Sequence, residues 1–223
     1  MKSKRKGLTV NTPVEAASPG LIAILRGVTN AEAVDVGRCL YDAGFRSVEV
    51  PLNSPDALRT IGTLRGSLPT DCTVGAGTVL TVDEVRACRD AGSEMIVSPN
   101  TDTAVIRETV RLGMRTFPGA ATPTDAFAAI GAGAKDIKIF PAEQVGLAGL
   151  KAWTAVIPRE IGLIPVGGVD ASNIGAWLSA GATGFGIGSA LYRAGIAVHD
   201  LRQRATLIIS ALESAIPSSR RAV

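Results

Sequence analysis

Residues 47–76 read SVEVPLNSPDALRTIGTLRGSLPTDCTVGA, which is a short apolar run, a longer amphipathic stretch and a second short run. The two short runs, 47–50 and 73–76, have the length and valine content of buried parallel strands. Between them, Ser54-Pro55 predicts the start of a helix with proline at the first helical position. The segment therefore predicts a strand–helix–strand unit.

The same alternation recurs along the chain. Six further apolar runs lie at 21–25, 95–98, 115–117, 136–140, 163–166 and 184–187. Helix-start signals lie between the runs: Asn30, Thr81 with Glu84 as a capping box, Thr101, Thr122-Pro123 and Ser172. Strand starts recur about every 23 residues, the spacing of compact βα units. Eight such units predict a single-domain α/β fold, a (β/α)₈ TIM barrel over residues 21–216.

A doubly wound open sheet is the alternative fold. Its usual mark, GxGxxG after the first strand, is absent, and the nearest match, GFGIGS at 184–189, follows the last run instead. We therefore favour the barrel. Residues 1–20 are interpreted as an N-terminal lead-in and residues 217–223 as a C-terminal tail.

The composition of the 223 residues, 46% hydrophobic and 19% charged, is typical of a soluble globular protein. Six of the 23 basic residues lie at the two ends, which leaves 17 basic against 20 acidic residues in the body. This balance does not indicate a nucleic-acid surface. Three cysteines without a CxxC motif indicate reduced thiols and a cytoplasmic location. The uncharged stretch 171–192 holds five glycines, so we expect no membrane span.

Lys138 is the strongest candidate for chemistry. In KDIKIFP, residues 135–141, strand alternation turns Ile137 and Ile139 toward the helices and Lys138 toward the barrel interior, together with Asp136 and Phe140. The body of the chain has only three lysines against 14 arginines. A primary amine that can lose its proton is what lysine offers and arginine does not. Two interpretations stay open: a nucleophile that forms a Schiff base with a ketone, or a strand-end lysine that reaches solvent or an acid.

Glu49 faces inward at the end of the second strand, because the valines on either side of it face outward. It is either a general acid/base or the partner of a structural salt bridge to Lys138 or Arg26. Arg26, at the end of the first strand, and Thr78, after the third, are candidates for binding a carboxylate. An exposed strand-end arginine and a turn threonine are the alternatives.

Two glycine motifs follow the last two strands. Gly167-Gly168 and Gly188-Ser189 occupy the loops that commonly bind phosphate in barrels, together with a helix N-terminus. Tight loops that simply need glycine are the alternative. A single histidine, His199, and the absence of HExxH or a Cys/His cluster predict neither a metal nor another cofactor.

With these residues assembled, the chain resembles the aldolases that act on 2-keto-3-deoxy-6-phosphogluconate or its galactonate epimer. The matching motifs extend from Leu21 to about Gly195 and occur in order. They are IAILRG at 22–27, VEV at 48–50, GAGTV at 75–79, VSP at 97–99, PG at 118–119 with TPT at 122–124, KIFPA at 138–142, VGGV at 166–169 and GIGS at 186–189.

The resemblance implies a cytoplasmic homotrimer of barrels that needs no metal and takes a phosphorylated keto sugar acid, with no nucleic acid or membrane partner. It also implies roles for individual residues. These are a Schiff base on Lys138, general acid/base catalysis by Glu49, binding of the pyruvate-like end by Arg26 and Thr78, phosphate binding by Gly167, Gly168, Gly188 and Ser189, and further substrate contacts at Phe140 and Pro118.

The sequence PLNS at 51–54 and Val166 are similar to the galactonate branch, whereas the gluconate branch tends to have TLRT and a threonine at these places. The implied reaction converts 2-dehydro-3-deoxy-6-phospho-D-galactonate to pyruvate and D-glyceraldehyde 3-phosphate. The alternatives are a 2-dehydro-3-deoxy-6-phosphogluconate or 4-hydroxy-2-oxoglutarate aldolase, an isomerase or synthase barrel in which Lys138 only anchors a ligand, and a non-catalytic sugar-phosphate-binding barrel.

Overall fold

The computed structural model describes residues 20–216, and the predicted tails lie outside this range except for Gly20. Within it, nine strands and eight helices alternate, except that β5 and β6 follow one another directly. The strands are β1 (Gly20–Ile24), β2 (Ser47–Pro51), β3 (Thr73–Gly77), β4 (Met95–Val97), β5 (Arg115–Phe117), β6 (Gly119–Ala120), β7 (Asp136–Ile139), β8 (Gly162–Pro165) and β9 (Gly184–Ile187). The helices are α1 (Ala33–Asp42), α2 (Ala57–Ser67), α3 (Val82–Asp90), α4 (Thr103–Arg111), α5 (Pro123–Gly131), α6 (Ala142–Trp153), α7 (Ile174–Ala180) and α8 (Val198–Ala215).

The strands form two parallel sheets. One has six strands in the order β5-β4-β3-β2-β1-β9, and the other has three in the order β6-β7-β8. An isolated parallel bridge between Val166 and Gly186 lies where the second sheet meets β9. The predicted α/β class with parallel strands is confirmed. The predicted closed sheet of eight strands is only partly observed, because the strand pairing defines two sheets.

Pro118 accounts for the additional strand. The sequence predicts one strand at 115–117, whereas the chain continues beyond Pro118 as β6. Proline has no N–H and interrupts a ladder of strand hydrogen bonds. Its carbonyl still accepts a hydrogen bond from the backbone N–H of Lys138 at 2.9 Å. This hydrogen bond keeps the chain next to β7 across the break in the strand.

Two predicted helix starts, at Thr81 and at Thr122, have capping boxes in the structure. Thr81 caps α3 through a reciprocal pair with Glu84. Thr122 caps α5 in the same way, and Pro123 takes the first helical position. Both helix starts are confirmed, because they depend on residues within one turn of each other.

Other helices begin later than predicted, because the expected caps bind elsewhere. Asn30 accepts a hydrogen bond from the Thr63 hydroxyl at 2.7 Å, and α1 begins at Ala33. Thr101 donates to the Gly119 carbonyl at 2.8 Å. The start of α4 is accordingly capped by Asp102. Helix α7 begins after Asn173 rather than at Ser172. Helix α2 begins after Asp56 rather than at Ser54-Pro55.

Strand alternation separates two layers of side chains. Val48, Val50, Ile137 and Ile139 pack outward into the main core beneath the helices. The inner face carries a smaller apolar cluster, with Phe140 packed against it. This cluster consists of Ile22, Ile24, Met95, Val97, Phe117, Ile164 and Val166. The faces predicted for β2 and β7 are confirmed, so any polar side chain on the inner face enters apolar surroundings.

Across residues 20–216, no helix combines the length and the apolar character needed to cross a membrane.

The capping box of α3 can be tested by mutation. Thr81→Ala removes the oxygen that accepts the Glu84 backbone N–H, and we expect a loss of ~1 kcal/mol in the free energy of unfolding. Thr124→Ala is the matched control, because Thr124 is exposed in the first turn of α5 and caps nothing; we expect a change below ~0.5 kcal/mol. Urea denaturation measures both, and equal losses would contradict the role of the cap.

Candidate active site

Lys138 enters the apolar interior from β7. Its side chain is 7% exposed, and its Nζ lies 4.5 Å from the centre of the Phe140 ring. The cavity next to it also contains Glu49, from the neighbouring part of the inner face. The backbone N–H of Lys138 is bound to the Pro118 carbonyl, so the strand that carries the amine is held on that side. The sequence-based prediction that Lys138 faces inward is confirmed.

The pKa of the Lys138 amine is lowered from its ordinary value of 10.5. Burial is the largest cause, because low-dielectric surroundings disfavour the charged form. The Glu49 charge opposes this shift, and the Arg26 charge adds to it. A larger fraction of the amine is therefore neutral, and the neutral form is the nucleophile.

Glu49 approaches the cavity from β2 and is 2% exposed. Its carboxylate lies so close to Gly77 that a Cβ at this position would overlap Oε2. Glycine on β3 thus leaves the space that the carboxylate occupies. Within residues 20–216, Oε2 has no hydrogen-bond partner. A buried polar atom of this kind calls for a functional or ligand-related explanation.

Burial raises the pKa of Glu49 from 4.5 to about 7, while the Lys138 and Arg26 charges act in the opposite direction. No ion pair within 4.0 Å joins Glu49 to either cation in the described part of the chain, because the pairs found there lie elsewhere. The alternative of a structural salt bridge is therefore not observed. A carboxyl group that titrates near neutral pH can both release and accept a proton.

Arg26 and Thr78 follow the ends of β1 and β3. Arg26 is exposed, and its Nη1 donates a hydrogen bond to Asn53 Oδ1 at 2.6 Å. Thr78 is half-buried and has a φ of 58°. The left-handed region is unfavourable for a β-branched residue and costs about 1–3 kcal/mol. Such strain is concentrated at functional sites, which favours a binding role for Thr78.

The glycine motifs lie at the same end of neighbouring strands, because the Val166–Gly186 bridge aligns the segments that precede them. Gly167 and Gly168 have φ values of 107° and 65°. The Gly188 carbonyl accepts the backbone N–H groups of Leu191 and Tyr192 at 2.9 Å each, so residues 188–192 form a single tight turn. Ser189 is exposed within this turn.

The helix N-terminus beside the first glycine loop is that of α6, because Ala142, its first residue, donates its backbone N–H to the Val166 carbonyl at 2.9 Å. The next helices begin at Ile174 and Val198, several residues beyond each motif. Turns fill the intervening chain, including one in which Asp170 accepts hydrogen bonds from the backbone and hydroxyl of Ser172.

The candidate residues divide into two groups. Lys138 and Glu49 line the inner cavity. The others lie around it at strand ends: Arg26, Thr78, Pro118, Phe140, Gly167, Gly168, Gly188 and Ser189. Sequence analysis missed the apolar lining. Ile164 is paired with Lys138 in the strand register, and Ile24 is paired with Glu49. The alternation used for β2 and β7 would have found both residues on the neighbouring strands.

Metal ligands do not cluster within residues 20–216: no group of three His, Cys, Asp or Glu side chains could hold an ion there. His199 lies exposed on α8, with its ring nitrogen 3.0 Å from the amide of Gln203.

Comparison with known proteins gives consistent matches. A family model described as KDPG and KHG aldolase matches residues 15–207. The probable 2-dehydro-3-deoxy-6-phosphogalactonate aldolase of Rhizobium meliloti (strain 1021) is 43% identical over 202 residues, which are 91% of this chain and 95% of the relative. The 2-dehydro-3-deoxy-6-phosphogalactonate aldolase of Escherichia coli (strain K12) is 43% identical over 196 residues, 88% of this chain and 96% of the relative.

A solved structure described as native KDPGal has a TM-score of 0.86 at 42% identity, and the match covers 93% of this chain and 97% of the other. The resemblance noted from the sequence motifs is thereby confirmed. Aldolases of this type belong to class I, which form a Schiff base with their substrate, so the chain is a carbon–carbon lyase. It belongs to the KDPG and KHG aldolase family.

Proposed function

We propose that this chain cleaves 2-dehydro-3-deoxy-6-phospho-D-galactonate to pyruvate and D-glyceraldehyde 3-phosphate, with Lys138 as the Schiff-base residue and Glu49 as the general acid/base. The observation that carries the proposal is one apolar cavity that holds both a buried amine and a buried carboxyl. Their pKa values are shifted toward neutrality, that of Lys138 downward and that of Glu49 upward. The names of the two relatives with 43% identity support the substrate.

The first step is attack of the neutral Lys138 amine on the keto carbon, C2. The resulting carbinolamine loses water to give an iminium, and Glu49 lies in the same cavity to transfer the protons. Covalent catalysis of this kind replaces one difficult bond cleavage by two easier steps. The apolar lining favours it, because a lysine in water is almost entirely protonated at neutral pH.

Cleavage then breaks the C3–C4 bond. The Glu49 carboxylate removes the proton of the C4 hydroxyl, and the electrons of the C3–C4 bond move into the iminium and form an enamine. Glyceraldehyde 3-phosphate leaves as the aldehyde. Protonation at C3 and addition of water release pyruvate and restore the amine. Because Glu49 has a pKa of about 7, it can act as a base in cleavage and as an acid in the return step.

The remaining candidates bind the two ends of the substrate in this proposal. Arg26 and Thr78 hold the carboxylate end. Phe140 covers the amine, and the Pro118 carbonyl fixes the backbone of the strand that carries it. The phosphate lies against the backbone of the two loops that follow β8 and β9, with contacts at Gly167, Gly168, Gly188 and Ser189.

We propose further that residues 21–216 form one closed barrel. Counting β5 and β6 as one strand interrupted at Pro118 gives eight strands. Parallel pairing of β1 with β9 and the bridge between Val166 and Gly186 support closure on the other side. Such a barrel gathers all the strand ends that carry site residues on one face.

Assembly as a homotrimer in the cytoplasm completes the proposal. Exposed apolar side chains on three successive helices, Val110, Phe127 and Leu147, offer a surface that association would cover. The buried cysteines Cys39, Cys72 and Cys88 are unpaired, which suits a reducing compartment.

The gluconate epimer is the second candidate substrate, because the matching family model carries the KDPG name. Val166 favours the galactonate epimer: it lines the cavity with methyl groups, whereas the gluconate branch tends to have a threonine hydroxyl there. Epimers differ at one carbon, and a single contact of this type distinguishes substrates by about 1–3 kcal/mol.

A coupled assay of pyruvate release tests the substrate. With the two epimers at equal concentrations, we expect a kcat/KM at least about tenfold higher for the galactonate compound, the lower end of what one pocket contact provides. The Lys138→Ala variant is the control for background release. Equal or higher kcat/KM for the gluconate compound would reassign the substrate, and release by neither would overturn the aldolase proposal.

The buried carboxyl of Glu49 makes the folded protein less stable as pH rises. The folded-state pKa of Glu49 is raised, so the folded state holds the proton more tightly than the unfolded state. The contribution of this carboxyl to the free energy of unfolding is therefore complete below pH 4.5 and is lost as pH rises through about 7. Glutamine cannot ionise. From about pH 5 to about pH 8 we therefore expect Glu49→Gln to gain roughly 2–3 kcal/mol in unfolding free energy over the wild type, while aldol cleavage collapses.

Chemical denaturation at several pH values measures this difference. Exposed Glu160→Gln is the matched control and should follow the wild-type curve. Wild-type and Glu49→Gln curves that run parallel would show that Glu49 is not held at a raised pKa.

A further inference from the structure

The turn after β2 is tied down on two sides. The Pro51 carbonyl accepts the backbone N–H of Ser54 at 2.8 Å, which makes residues 51–54 a hydrogen-bonded β-turn. The backbone N–H of Leu52 is bound to the Gly77 carbonyl of β3, also at 2.8 Å. Asn53 therefore occupies the third position of a turn that is anchored to the neighbouring strand.

The same turn folds back over the end of β1. The buried Ser54 hydroxyl accepts the backbone N–H of Gly27 at 2.9 Å. Asn53 Oδ1 accepts the Nη1–H of Arg26 at 2.6 Å. Two consecutive residues of one loop thus bind two consecutive residues of the other, and the direction of the Arg26 guanidinium depends on Asn53.

In this contact an uncharged amide oxygen of Asn53 accepts a hydrogen bond from the charged guanidinium of Arg26. In the part of the chain that the structure describes, no carboxylate lies within 4.0 Å of the Arg26 guanidinium. An amide oxygen orients a guanidinium without neutralising it, and the other N–H groups of the guanidinium remain free to bind an anion. A carboxylate in the same place would compete with any anion that binds there.

The position of the Arg26 charge affects both the Lys138 amine and the Glu49 carboxyl. The Arg26 charge lowers the pKa of Lys138 and that of Glu49. A guanidinium fixed by Asn53 therefore acts on the amine and the carboxyl from one defined side, whereas a mobile one would keep no fixed distance from them.

We propose that Asn53 is a positioning residue for the aldolase reaction: it holds Arg26 at the end of β1 through a neutral acceptor, so that the cation stays available to an anionic group of the substrate. The inference rests on the proposed function. Asn53 itself acts through Arg26 and needs no contact with the reacting atoms.

Asn53→Asp tests the charge while it keeps the geometry. The carboxylate accepts the same hydrogen bond but pairs with Arg26, so we expect KM to rise about tenfold with a smaller change in kcat, since charge-assisted hydrogen bonds are the strong ones. Asn53→Ala leaves the charge but not its orientation, and we expect KM to rise about threefold. Because Asn53 is exposed, the melting temperatures of both variants should stay near that of the wild type.

Asn30→Asp is the matched control. It introduces the same carboxylate in the loop that contains Arg26, but its Oδ1 faces the Thr63 hydroxyl. We expect its KM to remain within about twofold of the wild type, because surface charge pairs contribute little. A second measurement, the pyruvate concentration that gives half-maximal trapping by borohydride, shows which anionic group of the substrate Arg26 binds. If it rises with KM in Asn53→Asp, Arg26 binds the carboxylate; if only KM rises, Arg26 binds the phosphate. Either result supports the proposal.

Equal KM values for Asn53→Asp and Asn30→Asp, with an active wild type, would overturn the role of Asn53 and leave the proposed function intact. A lower melting temperature with an unchanged KM would do the same, because it would make the contact merely structural. A wild type that releases no pyruvate would overturn the proposed function and this inference together.

Discussion

The site depends on one constraint, which is that an amine and a carboxyl share an interior built from apolar side chains. Burial acts on the two groups in opposite directions, because it disfavours the charged form of each. It lowers the pKa of Lys138 and raises that of Glu49 to about 7. Burial thereby increases the neutral fraction of the amine and allows the carboxyl to exchange protons near neutral pH. The same burial makes an ionised Glu49 a cost to folding, so stability and reactivity are opposed at this position.

The surrounding fold keeps this unfavourable arrangement in place. Parallel strands with hydrophobic outer faces pack beneath the helices, and this packing stabilises the positions from which Lys138 and Glu49 point inward. Gly77 provides the volume for the Glu49 carboxylate. The Pro118 carbonyl holds the backbone at Lys138. Few of these contacts involve the charged atoms themselves, so the geometry of the site is set mainly by backbone pairing and by the space that glycine leaves.

Alternation along a strand was sufficient to predict the faces of Lys138 and Glu49, because that periodicity is local. The helix starts at Thr81 and Thr122 were predictable for the same reason. Asn30 looked equally like a helix cap, but its side-chain oxygen accepts a hydrogen bond from the Thr63 hydroxyl of another helix. The bond from Asn53 to Arg26 joins loops 27 positions apart and follows from how one turn folds over another. Contacts of this kind depend on tertiary structure, which composition and spacing do not reveal.

The proposed mechanism requires the buried amine of Lys138 to be the nucleophile. Reduction with borohydride in the presence of pyruvate, followed by peptide mass spectrometry, tests whether Lys138 forms the Schiff base. We expect one pyruvate-derived adduct per chain, on the peptide that contains Lys138. It should be absent from Lys138→Ala and unchanged in Lys135→Ala, because Lys135 is exposed just before the same strand. An adduct on another lysine, or an adduct that persists in Lys138→Ala, would show that Lys138 is not the nucleophile.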